Sequence, residues 1–465
     1  MKSIKTAILL LFMLPAVLHA QEDGDVKSFS LTEAQQYAMQ NNDSLKLAAL
    51  DIEKARKQVK ETTAIGLPQV SGSLSMQYFF DIPTQLLPDF VSPAIYGVLL
   101  QEGVPIQTDP SDIPTGGMTP AQFGTEYNVS AGVTVNQLIF DGQYIVGLRA
   151  SKAFTDLSAS MRNTSEINVK SRIAKLYLQV LMLAETQKIL TQNMTELDNN
   201  IAEITAFVEE GLNDQIDLDR LLLSKRRLDN QVSNIENAHA VVKLLLKLQM
   251  GFPVEKPVDL TDNLEMHLGS VGSLLDEDGN IADRPEYKTM ELNRELQVLD
   301  MQRWKAGYLP QVAGFFSYTE NAYVNEFKLG DGDNWFPTTV AGLSVNVPIF
   351  DGLSKQAKIQ QAKVEIQKAE VGMHQFEQAT NLQIEQAKAN YTLAQKEFDT
   401  EKSSLELAQK IYDRSKTLYE EGLGSSFEMT AALTELNTAQ SAYLQASYKL
   451  ITSKINLEKA LGKYN

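Results

Sequence analysis

Leu67-Pro68-Gln69-Val70-Ser71-Gly72-Ser73-Leu74-Ser75-Met76-Gln77-Tyr78 decides how this chain is read, because its opening returns as Leu309-Pro310-Gln311-Val312, 242 positions later. Within the stretch apolar and small polar residues alternate, which is the period of a strand with one apolar face. The return keeps the parity: Val312, Gly314, Phe316 and Tyr318 stand where Val70, Gly72, Leu74 and Met76 stand. Further along, Ile139-Phe140-Asp141-Gly142 returns as Ile349-Phe350-Asp351-Gly352 after 210 positions. Glu209-Glu210-Gly211-Leu212 returns as Glu420-Glu421-Gly422-Leu423 after 211, and Met250-Gly251 as Leu461-Gly462 after the same interval. Two diverged copies of one unit of roughly 200 residues account for the kept order and the near-constant offset. The fall from 242 to 210 places about 32 extra residues in the first copy, between its first two landmarks.

A second strand in each copy has the same character. Val129, Ala131, Val133, Val135 and Ile139 correspond to Thr339, Ala341, Leu343, Val345 and Ile349. The opposite face carries Asn128, Ser130, Thr134 and Asn136 in one copy and Ser344 and Asn346 in the other. Each copy thus supplies one hairpin, within 68–140 and 310–350, apolar on one face and small and polar on the other. That pattern fits a membrane barrel wall with a wet interior, and equally an ordinary sheet packed on one side. Tyr78, Phe79, Phe80, Tyr318, Tyr323, Trp335 and Phe336 near the far ends favour the membrane, as an interfacial girdle. The hairpin loops are expected at 81–123, which is Pro-rich and holds the insertion, and at 320–334.

The rest reads as helix. Ser30-Leu31-Thr32-Glu33 has capping-box spacing and opens a helix expected to run to about Gly66. After each Phe-Asp-Gly turn, with the aspartate placed to cap, a very long helix follows, over 143–208 and 353–419. The second is ~67 residues, about 100 Å at ~1.5 Å per residue. Its apolar residues recur in heptads (Ile359, Ile366, Met373, then Tyr391, Phe398, Leu405, Tyr412, Tyr419), with a shift in the interleaved residues that suggests a stutter. Taken alone, the heptads also fit a plain two-stranded coiled coil. Shorter helices at 31–66 with 213–250, and at 284–308 with 424–461, have the summed lengths to stack end to end beside each long helix. Residues 253–282, with Pro253, Pro257 and an acidic run, link the copies as a belt.

Composition bounds the function. Residues 1–20 read as a secretory signal, with Lys2 and Lys5, an apolar run from Ala7 to Leu18, and cleavage after Ala20. Its removal leaves 40 basic against 59 acidic residues, a balance that repels nucleic acid and leans toward cations in a lumen. The absence of cysteine excludes disulfides, thiolate metal sites and a cysteine-linked lipid. His239, His267 and His374 form no spaced ligand set, and no phosphate loop or nucleophile motif appears, so neither enzyme chemistry nor a cofactor or metal is expected. Four membrane strands cannot close, and an open edge in hydrocarbon leaves backbone groups unpaired at several kcal/mol each, so the barrel must be assembled from several chains. Three protomers give 12 strands and 12 helical columns. Physics alone also allows dimers and tetramers, though eight strands enclose almost no channel.

In order and in duplicate, these motifs resemble the TolC-like outer membrane efflux proteins. The resemblance covers the whole mature chain. It rests on Leu31-Thr32-Glu33-Ala34 with Asn41-Asn42, the paired Leu-Pro-Gln-Val strands and Phe-Asp-Gly turns, Arg284-Pro285-Glu286, and the two Glu-Glu-Gly-Leu tips. Asp43 departs from it, standing where the opening motif often has proline. The fold class it implies is mainly α with a transmembrane β-barrel, a homotrimeric 12-stranded barrel in outer membrane lipid above a long periplasmic α-helical barrel. The two repeats then span 21–252 and 283–465, with tips at 209–214 and 420–426. The implied function is a passive exit duct for a tripartite efflux or type I secretion system, served by a periplasmic adaptor and an inner-membrane pump. The alternative is a periplasmic coiled-coil adaptor, which explains the heptads but not two sets of alternating strands. By the resemblance, Gly211, Leu212, Gly422 and Leu423 meet the adaptor, and Tyr419, Glu428 and Asp217 take part in closing and selectivity. Gly424 and Ala431 depart from the family's basic and second acidic tip positions, and the two acids also read as helix-start charges favoured by the helix dipole.

Overall fold

The computed structural model describes residues 26–89, 91–105, 107, 109, 117–268, 274–277, 279–327 and 334–464. The expected signal peptide lies outside the described residues. In chain order the elements are β1 (Lys27–Phe29), α1 (Leu31–Asn41), α2 (Asp43–Ile65), β2 (Gln69–Tyr78), β3 (Thr84–Pro88), α3 (Val91–Gln101), β4 (Met118–Gln122) and β5 (Tyr127–Phe140). There follow α4 (Gly142–Glu209), α5 (Gln215–Met250), β6 (Val258–Leu260), α6 (Pro285–Ala306), β7 (Gln311–Val324), β8 (Trp335–Asn346), α7 (Ser354–Glu420) and α8 (Ser426–Ala460). The described residues fall into two compact units, one within 1–53, 156–291 and 370–465, the other within 54–155 and 292–369.

The second unit holds a four-stranded antiparallel sheet in the order β2-β5-β7-β8. Its register puts Val70, Gly72, Leu74 and Met76 opposite Val135, Val133, Ala131 and Val129, and Val135 and Val133 opposite Phe316 and Tyr318. The same face continues through Leu343 and Val345. Many of these apolar side chains are exposed, Leu74 by 78% and Leu343 by 71%, while Val129 is buried. The other face joins Ser71, Thr134 and Ser317, then Ser73, Gly132 and Thr319. It is less uniformly polar than the sequence suggests: Phe315, Tyr323, Phe336 and Val340 share its parity. Two aromatic groups sit at the far ends, Tyr78 against Phe80 and Tyr127 (4.9 and 4.7 Å between centroids), and Tyr323 beside Phe336 (6.3 Å). Tyr323 and Phe336 therefore belong to the polar side rather than to a girdle on the apolar one. β8 ends at Asn346, short of the expected Ile349, because Pro348 has no N–H for the ladder, whereas Leu138 at the equivalent place lets β5 continue to Phe140 past a bulge.

The expected loop at 81–123 is not plain loop: β3 and β4 pair over Thr84–Pro88 and Met118–Gln122, and α3 lies between them. α3 carries no charge and is apolar around its circumference, so neither strand nor helix period marks it in the sequence. Likewise the loop expected at 320–334 begins later, since β7 reaches Val324; residues 328–333 of it lie outside the description.

Helix boundaries follow the sequence closely, with one break. Ser30 and Glu33 form the capping box of α1, but the helix stops at Asn41. Asn42 is buried and extended (φ −62, ψ 127); its side chain accepts from Leu45 N (3.2 Å) and donates to Gln249 O (2.7 Å). The end of α5 thus abuts the break, where Gly251 takes φ +70 and a Cβ would lie 2.2 Å from Asn41 O. The second repeat repeats this join, with Gly462 at φ +75 against Arg284. The turns into the long helices differ. Asp141 caps α4 through Gln143 N (2.7 Å), while α7 starts after two left-handed residues, Gly352 and Leu353, and Asp351 reaches Lys355 N (3.0 Å). Along α7 the more buried positions step alternately by three and four, with two fours in succession at Phe376, Thr380 and Ile384, then regularly again to Tyr419. That is the stutter, and Thr380, 2% exposed, sits at its centre.

In the first unit the belt is tied down by pairing the sequence did not reveal. β6 pairs in parallel with β1 (Val258 with Lys27, Leu260 with Phe29). Around Phe29 gather Ile173, Tyr177, Leu246, Met250 and Phe252, all buried. Tyr177 donates to Phe29 O (2.9 Å), and burial pushes its hydroxyl up to about 12. His267 Nε2 stands 3.1 Å from Asp262 Oδ2, within hydrogen-bond distance.

Candidate functional site: the two helix-hairpin tips

The tips are built alike. α4 ends at Glu209, Gly211 takes φ +73, and Leu212 N returns to Phe207 O (2.8 Å). α7 ends at Glu420, Gly422 takes φ +73, and Leu423 N returns to Leu418 O (2.8 Å). Left-handed backbone is why glycine stands at both turns, since no atom lies near enough to crowd a Cβ there. Leu212 and Leu423 project from the turns, 67% and 75% exposed. Gly424 contributes an amide to Leu418 O (2.9 Å).

The following helices are capped differently. Asp214 caps α5 through Ile216 N (3.3 Å), leaving Asp217 outside the cap and 3.6 Å from Arg220. At α8, Ser425 and Glu428 form a full capping box: Ser425 Oγ accepts from Glu428 N (3.1 Å), and Glu428 accepts from Ser425 N (3.3 Å). Glu428 therefore has a local structural duty. Arg220 also lies over the Phe427 ring at 5.1 Å, which links the first residues of α5 and α8. Asp217, Arg220, Ser426, Phe427 and Thr430 line one shallow cavity of about 230 Å³.

Tyr419 occupies a different place. It packs against two cores, one of Leu190, Leu197, Ile204, Leu221 and Leu228, the other of Ala408, Tyr412, Met429, Leu433 and Leu436. Its hydroxyl is buried and has no hydrogen-bond partner among the described residues, so it reaches neither Asp217 nor Glu428. Burial, and then the Glu203 carboxylate, push that hydroxyl's pKa up. Sequence reasoning missed the polar contact one heptad away. Tyr412 donates to Glu196, which Lys416 also approaches at 3.7 Å, and burial followed by this bond raises the Tyr412 pKa. Tyr412 was visible in the seven-residue series; Glu196 had no sequence signal to mark it as the partner. Asn193, which bonds Asn437 and Gln440, is a further crossing of the same kind.

Residues 281–463 match the outer membrane efflux protein family. Over that span the chain is similar to that family. Over 440 residues it is 22% identical to the probable outer membrane lipoprotein SilC of Salmonella typhimurium, covering 91% of this chain and 84% of that one. The fold of this chain is similar to that of CusC (TM-score 0.71, 16% identity, 93% and 92% of the two chains). It is similar also to the Campylobacter jejuni CmeC outer membrane channel (TM-score 0.69, 17% identity, 93% and 85%).

Proposed function

We propose that this protein is the outer membrane exit duct of a tripartite efflux or type I secretion system, open to the exterior through the sheet and closed at the helix tips. The observation that carries this reading is the sheet itself. One face is apolar and largely exposed, the other is largely small and polar, and among the described residues β2 and β8 remain as unpaired edges. Such edges are tolerated in a bilayer only when another chain pairs with them. Three copies closing β8 of one onto β2 of the next make 12 strands, enough for a water-filled interior. The duct has no energy source of its own, so a pump and a periplasmic adaptor supply both drive and opening. Leu212 and Leu423, exposed on rigid glycine turns, are the adaptor contacts, and Tyr419, Asp217 and Glu428 are the closing and selectivity residues.

Density-gradient fractionation of cell envelopes tests this reading. The protein is expected with outer membrane markers, requiring detergent for extraction. Recovery from the periplasm without detergent would overturn the duct and favour a soluble adaptor. For the tips, a lone cysteine in place of Leu212 or Leu423 in this cysteine-free chain is expected to cross-link to the adaptor.

A further inference from the structure

Lys175 of α4 and Lys459 of α8 share a cavity of about 610 Å³ with Asn456 and Lys449 of α8 and Gln386 and Asn390 of α7. Among the described residues no carboxylate lines it. Lys175 Nζ donates to Asn456 Oδ1 (2.6 Å) and Lys459 Nζ to Asn168 Oδ1 (2.6 Å). Among the described residues neither ammonium has a carboxylate within ion-pair distance, whereas Lys449 is paired with Glu397. Burial, then the neighbouring Lys459 charge, push the Lys175 pKa down, as expected of an ammonium facing a like charge. In a chain with 59 acidic residues against 42 basic, two adjacent lysines left with neutral amide partners stand out.

We infer that this cavity binds a small free oxyanion, a phosphate or carboxylate group held between Lys175 and Lys459 with the carboxamides of Asn456, Gln386 and Asn390 around it. The anion supplies the charge the two ammoniums lack, and charge-assisted hydrogen bonds are the stronger kind. Because α4 belongs to the first repeat and α7 and α8 to the second, the bound anion ties the repeats together. It stabilises whichever packing of these helices keeps the three side by side.

The test is thermal unfolding of the detergent-purified full chain, titrated with inorganic phosphate at ionic strength held constant with chloride. The wild type is expected to show a saturable rise in its midpoint. K175Q and K459Q should each weaken the apparent affinity about tenfold, while K449Q, at a lysine with its own acid, stays within about twofold. Phosphorus NMR line broadening on the wild type, relieved by sulfate, reads the same site if a variant folds poorly. Equal responses in the wild type and the K175Q/K459Q double variant would overturn the site. So would no response in the wild type, including the case in which the substitutions loosen the oligomer, which would mean that a side-chain carboxylate of another chain fills the cavity.

Discussion

The two tips share one backbone and differ in chemistry. Both turn on a glycine at φ +73, and both send a leucine amide back to a helix carbonyl at 2.8 Å. Beneath the first turn the buried residues are the aliphatic Leu190, Leu197, Ile204, Leu221 and Leu228, with Val208 at the place equivalent to Tyr419 and with Phe207 and Tyr419 packed against them. Beneath the second the core includes tyrosines, Tyr412 bonded across to Glu196 and Tyr419 with a buried, unpartnered hydroxyl. A dry aliphatic seam holds by burial alone and has one good packing. A seam with polar groups that need partners holds well only when those partners are in place, so it is the natural candidate for a part that changes packing. The lesson is that duplication fixed the geometry of the turns, while divergence placed the tyrosines on the second hairpin and polar contacts such as Tyr412–Glu196 between the two.

Core truncation should have the largest effect and should fall on both hairpins alike. Ile204→Ala and Leu433→Ala, at 0% and 4% exposure, are each expected to cost ~2–5 kcal/mol, read as lowered thermal midpoints in detergent. A much larger loss in one hairpin than in the other would show that the seams are not comparably packed. Tyr412→Phe separates them. Leaving Glu196 without its donor should cost ~1–3 kcal/mol and raise the open probability of reconstituted channels, while Ile201→Val at the equivalent position of the first hairpin should cost ~0.5–1.5 kcal/mol without opening the channel. If the two substitutions gate alike, the proposed asymmetry is wrong. Gly422→Ala and Gly211→Ala sharpen the shared part: each should cost ~1–2 kcal/mol from left-handed strain alone, equally at both tips, by differential scanning fluorimetry. The smallest effect is expected from Glu428→Ala. Loss of the capping box should cost ~0.5–1 kcal/mol, with weakened cation preference in single-channel recordings. Unchanged selectivity would leave Glu428 with capping as its sole role.

What the sequence made legible, and what it hid, divides along the same physical line. The long helices were read to within a residue or two because heptad periodicity over more than 60 residues outweighs local noise. Strand parity was legible because apolar residues recur at every second position of one face, although Phe315 and Val340 on the other face break strict alternation. The break at Asn42 was hidden, since it depends on a distant carbonyl, Gln249 O, and on the backbone of Gly251 coming close. α3 was hidden because an apolar helix without a polar face has no period to detect. The tip turns and their glycines were legible, as was the position of Tyr419. Their polar partners were not: Glu196 and Arg220 carry no local signal, and their roles appear only when helices distant in sequence lie side by side.

In the proposed duct the open four-stranded sheet, with its largely exposed apolar face, is one third of a closed barrel. Electron microscopy of single particles extracted from membranes in detergent tests it most directly. A three-fold tube in which β8 of each chain pairs with β2 of the next is the predicted result. A monomeric particle, or an oligomer in which those edges stay apart, would contradict it.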